Sequence, residues 1–367
     1  MKIQKWNKEN KGFRFIASLI TALIGAILFT YIQTPIPWLL GPMVAVLIGA
    51  RFGKVNYYWP RYIRDTGLII VGYSIGLSFT KTALLQILEK LPLMFLMTVI
   101  LVSFCAGIAY VVSKISGVDY PTILTGSIPG GLNQMIIFAE EIKGIDITTV
   151  TFLQVARLLM IIFFVPFLVF GKFFGNGKID TVGIVQHSFQ PTEQLFFKAI
   201  LFASVCLIFA FLGKKIKAPT PFLLGPILAT AILGISGVHG FVLPTSLLDS
   251  SQFMIGGYIS LLLKPEKLEH KTKIITLALI SGVMMIICSL GLSLLLVHGY
   301  HISQATSILS LAPGGMDQMG ILAHEVNANL SMVTGYQLFR LFFIYFVVPP
   351  ILKLVFKKAI IQNKKSI

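Results

Sequence analysis

Charge is scarce in this sequence. Only 12% of its 367 residues are Asp, Glu, Lys or Arg, about half the share of a soluble globular chain. No stretch is long and polar enough to form a soluble domain. Cysteine is limited to Cys105, Cys206 and Cys288. All three lie inside apolar runs without metal-ligand spacing, so they read as small buried hydrophobes. The six histidines, His187, His239, His270, His298, His301 and His324, form no helical metal pair. A nucleophile elbow, a phosphate-cradling loop with its lysine and a dinucleotide fingerprint are all missing. A copper or zinc catalytic site is therefore not expected, nor is enzymatic activity or a cofactor.

What the sequence has is apolar length. Hydrophobic residues make up 56% of it and the mean hydropathy is +0.86. Phe13 to Tyr31, Leu91 to Val112, Ile274 to Val297 and Leu338 to Phe356 each match or exceed the roughly 18 residues that mark a membrane-spanning helix. The net charge of +16 sits in short clusters between these runs. That placement suits the orientation bias of membrane loops and anionic lipids rather than nucleic acid. The basic N-terminus lacks a small-residue cleavage site, so it reads as leading into an uncleaved first helix.

The chain repeats itself. Pro37-Trp38-Leu39-Leu40-Gly41-Pro42 returns as Pro221-Phe222-Leu223-Leu224-Gly225-Pro226, and Pro129-Gly130-Gly131-Leu132-Asn133-Gln134-Met135 returns as Pro313-Gly314-Gly315-Met316-Asp317-Gln318-Met319, both at an offset of 184. Asp65 matches Asp249 and Glu141 matches Glu325 at that offset, and Gln154, Arg157 and Pro166 match Gln337, Arg340 and Pro349 at 183. Internal repetition on this scale means a duplicated structural unit, with one copy in residues 1–180 and the other in 181–367. Each copy predicts six segments, near 13–33, 36–50, 64–79, 91–113, 120–141 and 147–171, then 195–213, 219–236, 247–263, 273–297, 303–325 and 330–356. Pro-Gly-Gly interrupts the fifth of each, which argues for a re-entrant hairpin or two half-helices.

Cation placement discriminates between topologies. If all twelve segments cross, 18 Lys and Arg fall inside and 10 outside. If each interrupted segment returns to its own side, the second copy is inverted, 23 fall inside, and only Lys81, Lys90, Lys172, Lys178 and Lys198 remain outside. The positive-inside rule favours the second arrangement, an inverted-repeat plan used by secondary transporters. The expected fold is thus an all-α integral membrane protein of two inverted-topology repeats. It has about ten transmembrane helices plus two broken segments, sits in the inner (plasma) membrane, and keeps both termini cytoplasmic.

Three constellations could carry function. At Gly130, Gly131, Asn133 and Gln134, and at Gly314, Gly315, Asp317 and Gln318, a half-helix N-terminus offers free N–H groups and a positive dipole end to an anion. Helix capping and close packing explain the same residues. Gln154 with Arg157, and Gln337 with Arg340, share a helix face at i,i+3 inside apolar runs, where a charge should face a cavity or a partner. Two arginines could clamp a carboxylate or phosphate. They could instead tie down carbonyls freed by the break, or pair with Asp317, Glu140 or Glu141. The Leu-Leu-Gly-Pro motifs read as architectural, with Trp38, Tyr31, Tyr57, Tyr58 and Trp59 as interfacial anchors. Asp65, Asp249, Glu140, Glu141 and Glu325 could carry a coupling proton or sodium or be solvated helix ends. Asp317 is the stronger candidate, because its counterpart Asn133 is neutral.

The paired Leu-Leu-Gly-Pro and Pro-Gly-Gly motifs and the Arg157 and Arg340 helices resemble the membrane AbrB-type family, the AbrB duplication family, over about residues 13 to 356. The resemblance implies an inner-membrane protein grouped with cation–proton antiporter and anion transporter folds. Family members have been labelled regulators of gene expression or ammonia monooxygenases, yet the sequence holds neither a soluble DNA-binding module nor copper ligands. It departs from repeat symmetry at Asn133 against Asp317 and Glu140 against His324, which leaves open whether both halves bind the same species. The expected role is a secondary transporter of a small anionic metabolite, coupled to H+ or Na+. The alternative is a membrane sensor acting indirectly on gene expression. The expected partners are a small-molecule substrate and membrane lipids, not nucleic acid, and a homodimer stays open.

Overall fold

The computed structural model describes residues 11–52, 56–142, 144–171, 193–238, 240–262, 271–353 and 356. Every regular element among the described residues is a helix. The first half holds α1 (Lys11–Tyr31), α2 (Pro37–Phe52), α3 (Arg61–Gly76), α4 (Lys81–Ser116), α5 (Tyr120–Ser127), α6 (Leu132–Glu141) and α7 (Ile147–Phe170). The second half holds α8 (Glu193–Lys215), α9 (Pro221–Ile235), α10 (Thr245–Ser260), α11 (Lys271–Tyr300), α12 (Gln304–Leu311), α13 (Met316–Glu325) and α14 (Leu330–Phe346). All twelve expected segments are present, and the fifth of each half is split at its Pro-Gly-Gly into α5/α6 and α12/α13.

Among the described residues, six helices are long and apolar enough to cross a bilayer, as in a multi-pass membrane protein: Lys11–Tyr31, Lys81–Ser116, Ile147–Phe170, Phe196–Lys215, Ile274–Tyr300 and Leu330–Lys353. The apolar helices α2 and α9 have 16 and 15 residues, about 24 and 22 Å at 1.5 Å per residue. Helix α4 begins ten residues before the expected segment. Its first turns carry Lys81, Glu89 and Lys90, which read as loop residues in the sequence. The helix continues through them because Lys, Glu, Gln and Leu are all good helix formers.

The described residues form two compact units, each drawing on both halves of the chain. Of the described residues, those within 1–86, 162–264 and 317–331 form the first, and those within 87–161, 265–316 and 332–367 form the second. The expected repeat boundary near 180 lies outside the described residues.

In the first unit the packing is reciprocal. A Cβ on Gly72 of α3 would lie 2.6 Å from the Leu223 carbonyl oxygen of α9, and a Cβ on Gly256 of α10 would lie 2.5 Å from the Leu39 carbonyl oxygen of α2. These four residues are two pairs of repeat equivalents. Gly67 of α3 lies against the carbonyl of Ser251 of α10, its own equivalent. Along that seam the residue order reverses, because Arg64 lies 4.6 Å from the Tyr258 ring centroid while Val71 and Leu248 line one small cavity. Helices α3 and α9 instead run in the same sense, with Gly72 at Leu223 and Gly76 at Ile227 and Thr230. Gly41 of the first Leu-Leu-Gly-Pro motif lets α2 approach Gly25 of α1, and Gly225 of the second meets the backbone of Ala210 in α8. Small residues permit this closeness between apolar helices, so the motif is architectural.

The two cores of this unit are the same core twice. Ala22, Tyr57, Trp59, Phe253 and Leu261 belong to one, and their equivalents Cys206, Phe241, Leu243, Ile69 and Leu77 belong to the other. Bulk is exchanged between them. Trp59 packs onto Gly257, whereas smaller Leu243 is accompanied by Tyr73, which occupies the position equivalent to Gly257. Tyr73 stacks edge-on to Phe202 at 5.5 Å and donates its hydroxyl to the Phe241 carbonyl at 2.7 Å. Trp59 is therefore a core residue here, not only an interfacial anchor.

The repeat also persists in the backbone. Gln33, Ile36, Gly117 and Gly144 have φ of 55, 50, 69 and 95°, and Lys217, Thr220, His301 and Asn327 have φ of 56, 41, 53 and 51°. The second set is the repeat equivalent of the first. Left-handed backbone costs a non-glycine residue roughly 1–2 kcal/mol, so the duplicated geometry is kept even where glycine became His or Asn.

The second unit centres on Met94, Met97, Leu101, Leu296, Leu311 and Tyr336, drawn from α4, α11, α12 and α14. Phe95 of α4 meets Phe343 of α14 edge-to-face at 5.7 Å.

Candidate functional site

Breaking a helix in an apolar setting frees carbonyl groups that lipid cannot satisfy, at several kcal/mol each. In the second unit those carbonyls have dedicated donors. Helix α5 ends at Ser127, and Ile128 turns extended at φ −65°, ψ 128°. Gln154 Nε2 donates to the Thr125 and Ile128 carbonyls, both at 2.9 Å. Arg157 Nη1 donates to the Ser127 and Ile128 carbonyls at 3.0 Å and reaches the Gly126 carbonyl at 3.4 Å. Its Nη2 donates to Gln154 Oε1 at 2.6 Å. Gln154 and Arg157 are 2% and 6% exposed.

The second copy repeats this arrangement. Gln337 Nε2 donates to the Leu309 and Ala312 carbonyls at 2.8 and 3.1 Å. Arg340 donates to the Leu311 and Gly314 carbonyls at 3.2 and 3.3 Å and to Gln337 Oε1. Both arginines thus tie carbonyls of the break, one of the roles open in the sequence. Each guanidinium sits at the C-terminal end of a half-helix, α5 or α12, where the helix dipole is negative. The salt bridges of the described residues include neither arginine. Glu141 instead pairs with Lys353 at 2.6 Å, both about half exposed.

The second half-helix of each broken segment presents its N-terminus. Helix α6 is capped by Gly131 with no side-chain cap bond, so the N–H groups ahead of Gln134 lack intrahelical acceptors, while the Gln134 N–H donates to the Gly131 carbonyl at 3.0 Å. A Cβ on Gly131 would lie 2.9 Å from Gln134 Oε1, and one on Gly130 would lie 2.9 Å from Ile344 Cγ2. The glycines therefore admit the glutamine fold-back and close approach of α14. The Asn133 side chain lies outside the described residues. Within the first unit, α13 carries Asp317 in its first turn, and Gln318 Nε2 donates to Asp317 Oδ2 at 2.8 Å. Gln134 Oε1 and Gln318 Oε1 are both buried without a hydrogen-bond partner.

The first unit also contains a small cavity that the sequence did not disclose. About 20 Å³ in volume, it is lined by Ser74, Ser251, Gln252, His324 and Glu325 among others, room for about one water molecule. Gln252, 2% exposed, donates to Glu325 Oε1 at 3.0 Å. Its repeat equivalent is Leu68, so repeat matching could not find it. An isolated amide in the apolar α10 was the available signal. Asp65 pairs with its neighbour Arg64 at 2.6 Å. His187, His239 and His270 lie outside the described residues, and those residues contain no group of three or more His, Cys, Asp or Glu able to hold a metal ion.

The model of one protein family, described as transition state regulatory protein AbrB, matches residues 38–356. A protein of Escherichia coli (strain K12) named "Putative regulator AbrB" is 26% identical over 338 residues, covering 92% of this chain and 94% of that protein. A protein of Bacillus subtilis (strain 168) named "Uncharacterized protein YhjN" is 26% identical over 352 residues, covering 93% of this chain and 90% of that protein.

Proposed function

The chain belongs to the AbrB family, and from that premise and its broken segments we propose that it is a secondary transporter-like membrane protein. Its substrate is a small anionic metabolite, and its coupling ion is H+ or Na+. The observation that carries this reading is the division of labour within the first broken segment, whose first half the second repeat copies. The first half-helix has its carbonyl end closed by a buried Gln–Arg pair. The second half-helix keeps an N-terminus without a side-chain cap at Gly131, the polarity that suits an anion. In this reading Asn133, Gln134 and the Gly131 backbone contact substrate, Gly130 keeps the approach open, and the buried arginines shape the site and supply positive potential.

Inverted topology belongs to the same proposal. It is supported by the opposed senses of α3 and α10 at Arg64–Tyr258 and Gly67–Ser251, since these are repeat-equivalent helices. The placement follows: an inner-membrane protein of about ten crossings, with both termini cytoplasmic, lipids around it and no catalytic role.

Proteoliposomes holding the full chain test the proposal. Gradient-driven uptake of at least one organic carboxylate or phosphate is expected, and it should be lost in Asn133→Ala and Gln134→Ala. A correctly folded preparation that moves no compound of a broad metabolite panel under either a proton or a sodium gradient overturns it.

The name of the Escherichia coli relative favours a second reading, a membrane sensor that influences gene expression indirectly. It requires ligand-induced thermal stabilisation without flux.

A further inference from the structure

The buried Gln318 oxygen is a hydrogen-bond acceptor with nothing to accept, beside a carboxylate at a helix N-terminus. Leaving a buried acceptor unsatisfied is unfavourable, so the Gln318 oxygen calls for a donor. The other copy has its orphan at the equivalent atom, Gln134 Oε1. Gln318 is 2% exposed, and its nitrogen already donates to Asp317 Oδ2 at 2.8 Å. Its oxygen therefore lies on the same amide group that faces the Asp317 carboxyl.

A protonated carboxyl has one O–H donor, and an amide has both a donor and an acceptor. Adding H+ to Asp317 would let the acid O–H donate to Gln318 Oε1 while Gln318 Nε2 still donates to the other carboxyl oxygen. Both side chains would then be satisfied as an acid–amide pair. The balance is simple: one proton is taken from water on acidification, one O–H bond forms, and the carboxylate loses its negative charge. A hard metal cation asks for about six oxygen ligands, more than these two side chains supply.

We propose that Asp317 is a reversible proton-binding residue whose O–H is accepted by Gln318, and that it is the coupling group of the second repeat. The coupling role rests on the transport reading above, whereas proton binding does not. Other charged groups bear on Asp317 within its unit. Arg64 of α3 acts on it electrostatically, but its guanidinium is shared with Asp65 at 2.6 Å. Asp249 stands on α10, and His324 and Glu325 stand at the far end of α13. Burial favours the neutral form, whereas the backbone N–H groups of Asp317 and Gln318 and the Arg64 charge favour the charged one. The first repeat has neutral Asn133 at this position, so the two termini differ in charge by the proton this site exchanges.

Infrared difference spectra of the full-length protein in liposomes, recorded between alkaline and acidic buffer, test the proposal without any transport substrate. A carboxylic-acid C=O band that grows on acidification is expected. All 14 Asp and Glu protonate in acid, so the diagnostic component is the part of the band that is lost in Asp317→Asn and kept in Asp249→Asn and Glu325→Gln. Asp317→Asn reproduces the residue of the other repeat, and its helical circular dichroism serves as the folding check. Gln318→Leu should keep the band but move it to higher wavenumber, because the acid loses its hydrogen-bonded partner. The proposal is overturned if Asp317→Asn retains the whole wild-type band with no component missing, or if replacing choline chloride by sodium chloride at fixed pH abolishes the Asp317 component.

Discussion

Arg157 and Gln154 hold the same carbonyl: that of Ile128 accepts from Arg157 Nη1 at 3.0 Å and from Gln154 Nε2 at 2.9 Å. The first carbonyl beyond α5 is thus tied by two side chains as well as by the Gly130 N–H at 2.8 Å, and the two side-chain donors are locked together by the Arg157–Gln154 bond at 2.6 Å.

Removing the guanidinium strands several buried acceptors at once. Arg157→Ala should destabilise the protein by about 3 kcal/mol or more, since each orphan costs about 1–3 kcal/mol. Arg157→Lys should recover only part of that, because an ammonium lacks the planar fork. Thermal unfolding of the detergent-purified protein checks this. Equal stability of wild type and Arg157→Ala would show that the carbonyls do not need the arginine.

The exchange of bulk between the two cores of the first unit predicts a rescue. Gly257→Tyr alone should be strongly destabilising, because a Cβ at Gly257 already lies 2.5 Å from the Trp59 ring. Trp59→Leu alone should leave a cavity costing about 2–4 kcal/mol. Combined, they recreate the Leu243–Tyr73 arrangement, so the double variant should be more stable than the sum of the single effects. A double-mutant cycle on unfolding midpoints measures that coupling.

Helical glycines should divide by their surroundings. A Cβ on Gly41 meets the Gly25 carbonyl oxygen at 2.4 Å, whereas a Cβ on Gly107 meets nothing within 4 Å. Gly41→Ala should therefore cost about 1–3 kcal/mol through overpacking. Gly107→Ala should be neutral or stabilising by about 0.5–1 kcal/mol from helix propensity. Comparing the two unfolding midpoints decides the point.

The exposed Glu141–Lys353 pair should matter little to stability. Both side chains are about half exposed, and such pairs contribute about 0–1 kcal/mol. Lys353→Ala should shift the unfolding midpoint by an amount within that range, and less at high salt.

The helical segments were legible because apolar length and Pro-Gly-Gly punctuation are local signals. Helices α6 and α13 begin at Leu132 and Met316, directly after the glycines that predicted the break. The role of Arg157 was not legible, because i,i+3 spacing gives a shared face but not what that face meets. Its targets, the carbonyls of residues 126–128, lie about thirty positions earlier and become acceptors only once the helix is broken. Gln252 escaped notice because its repeat counterpart is apolar. The reach of α4 back to Lys81 was hidden by charge. Lys90 lies 5.4 Å from the Tyr300 ring centroid, a contact that tolerates a cation at a helix end and that linear spacing does not reveal.

The reciprocity of Gly72 with Leu223 and of Gly256 with Leu39 reaches beyond packing. Each contact joins one copy to the other, and its mirror image does the same in return. Two half-length chains would possess every surface these contacts require. Residues 1–180 and 181–367, co-expressed as separate polypeptides, should therefore assemble by fragment complementation, whereas either expressed alone should be cleared by membrane proteolysis. The covalent link between the halves would then serve stoichiometry more than architecture, as expected of a gene fusion that joined two copies of a self-pairing ancestor.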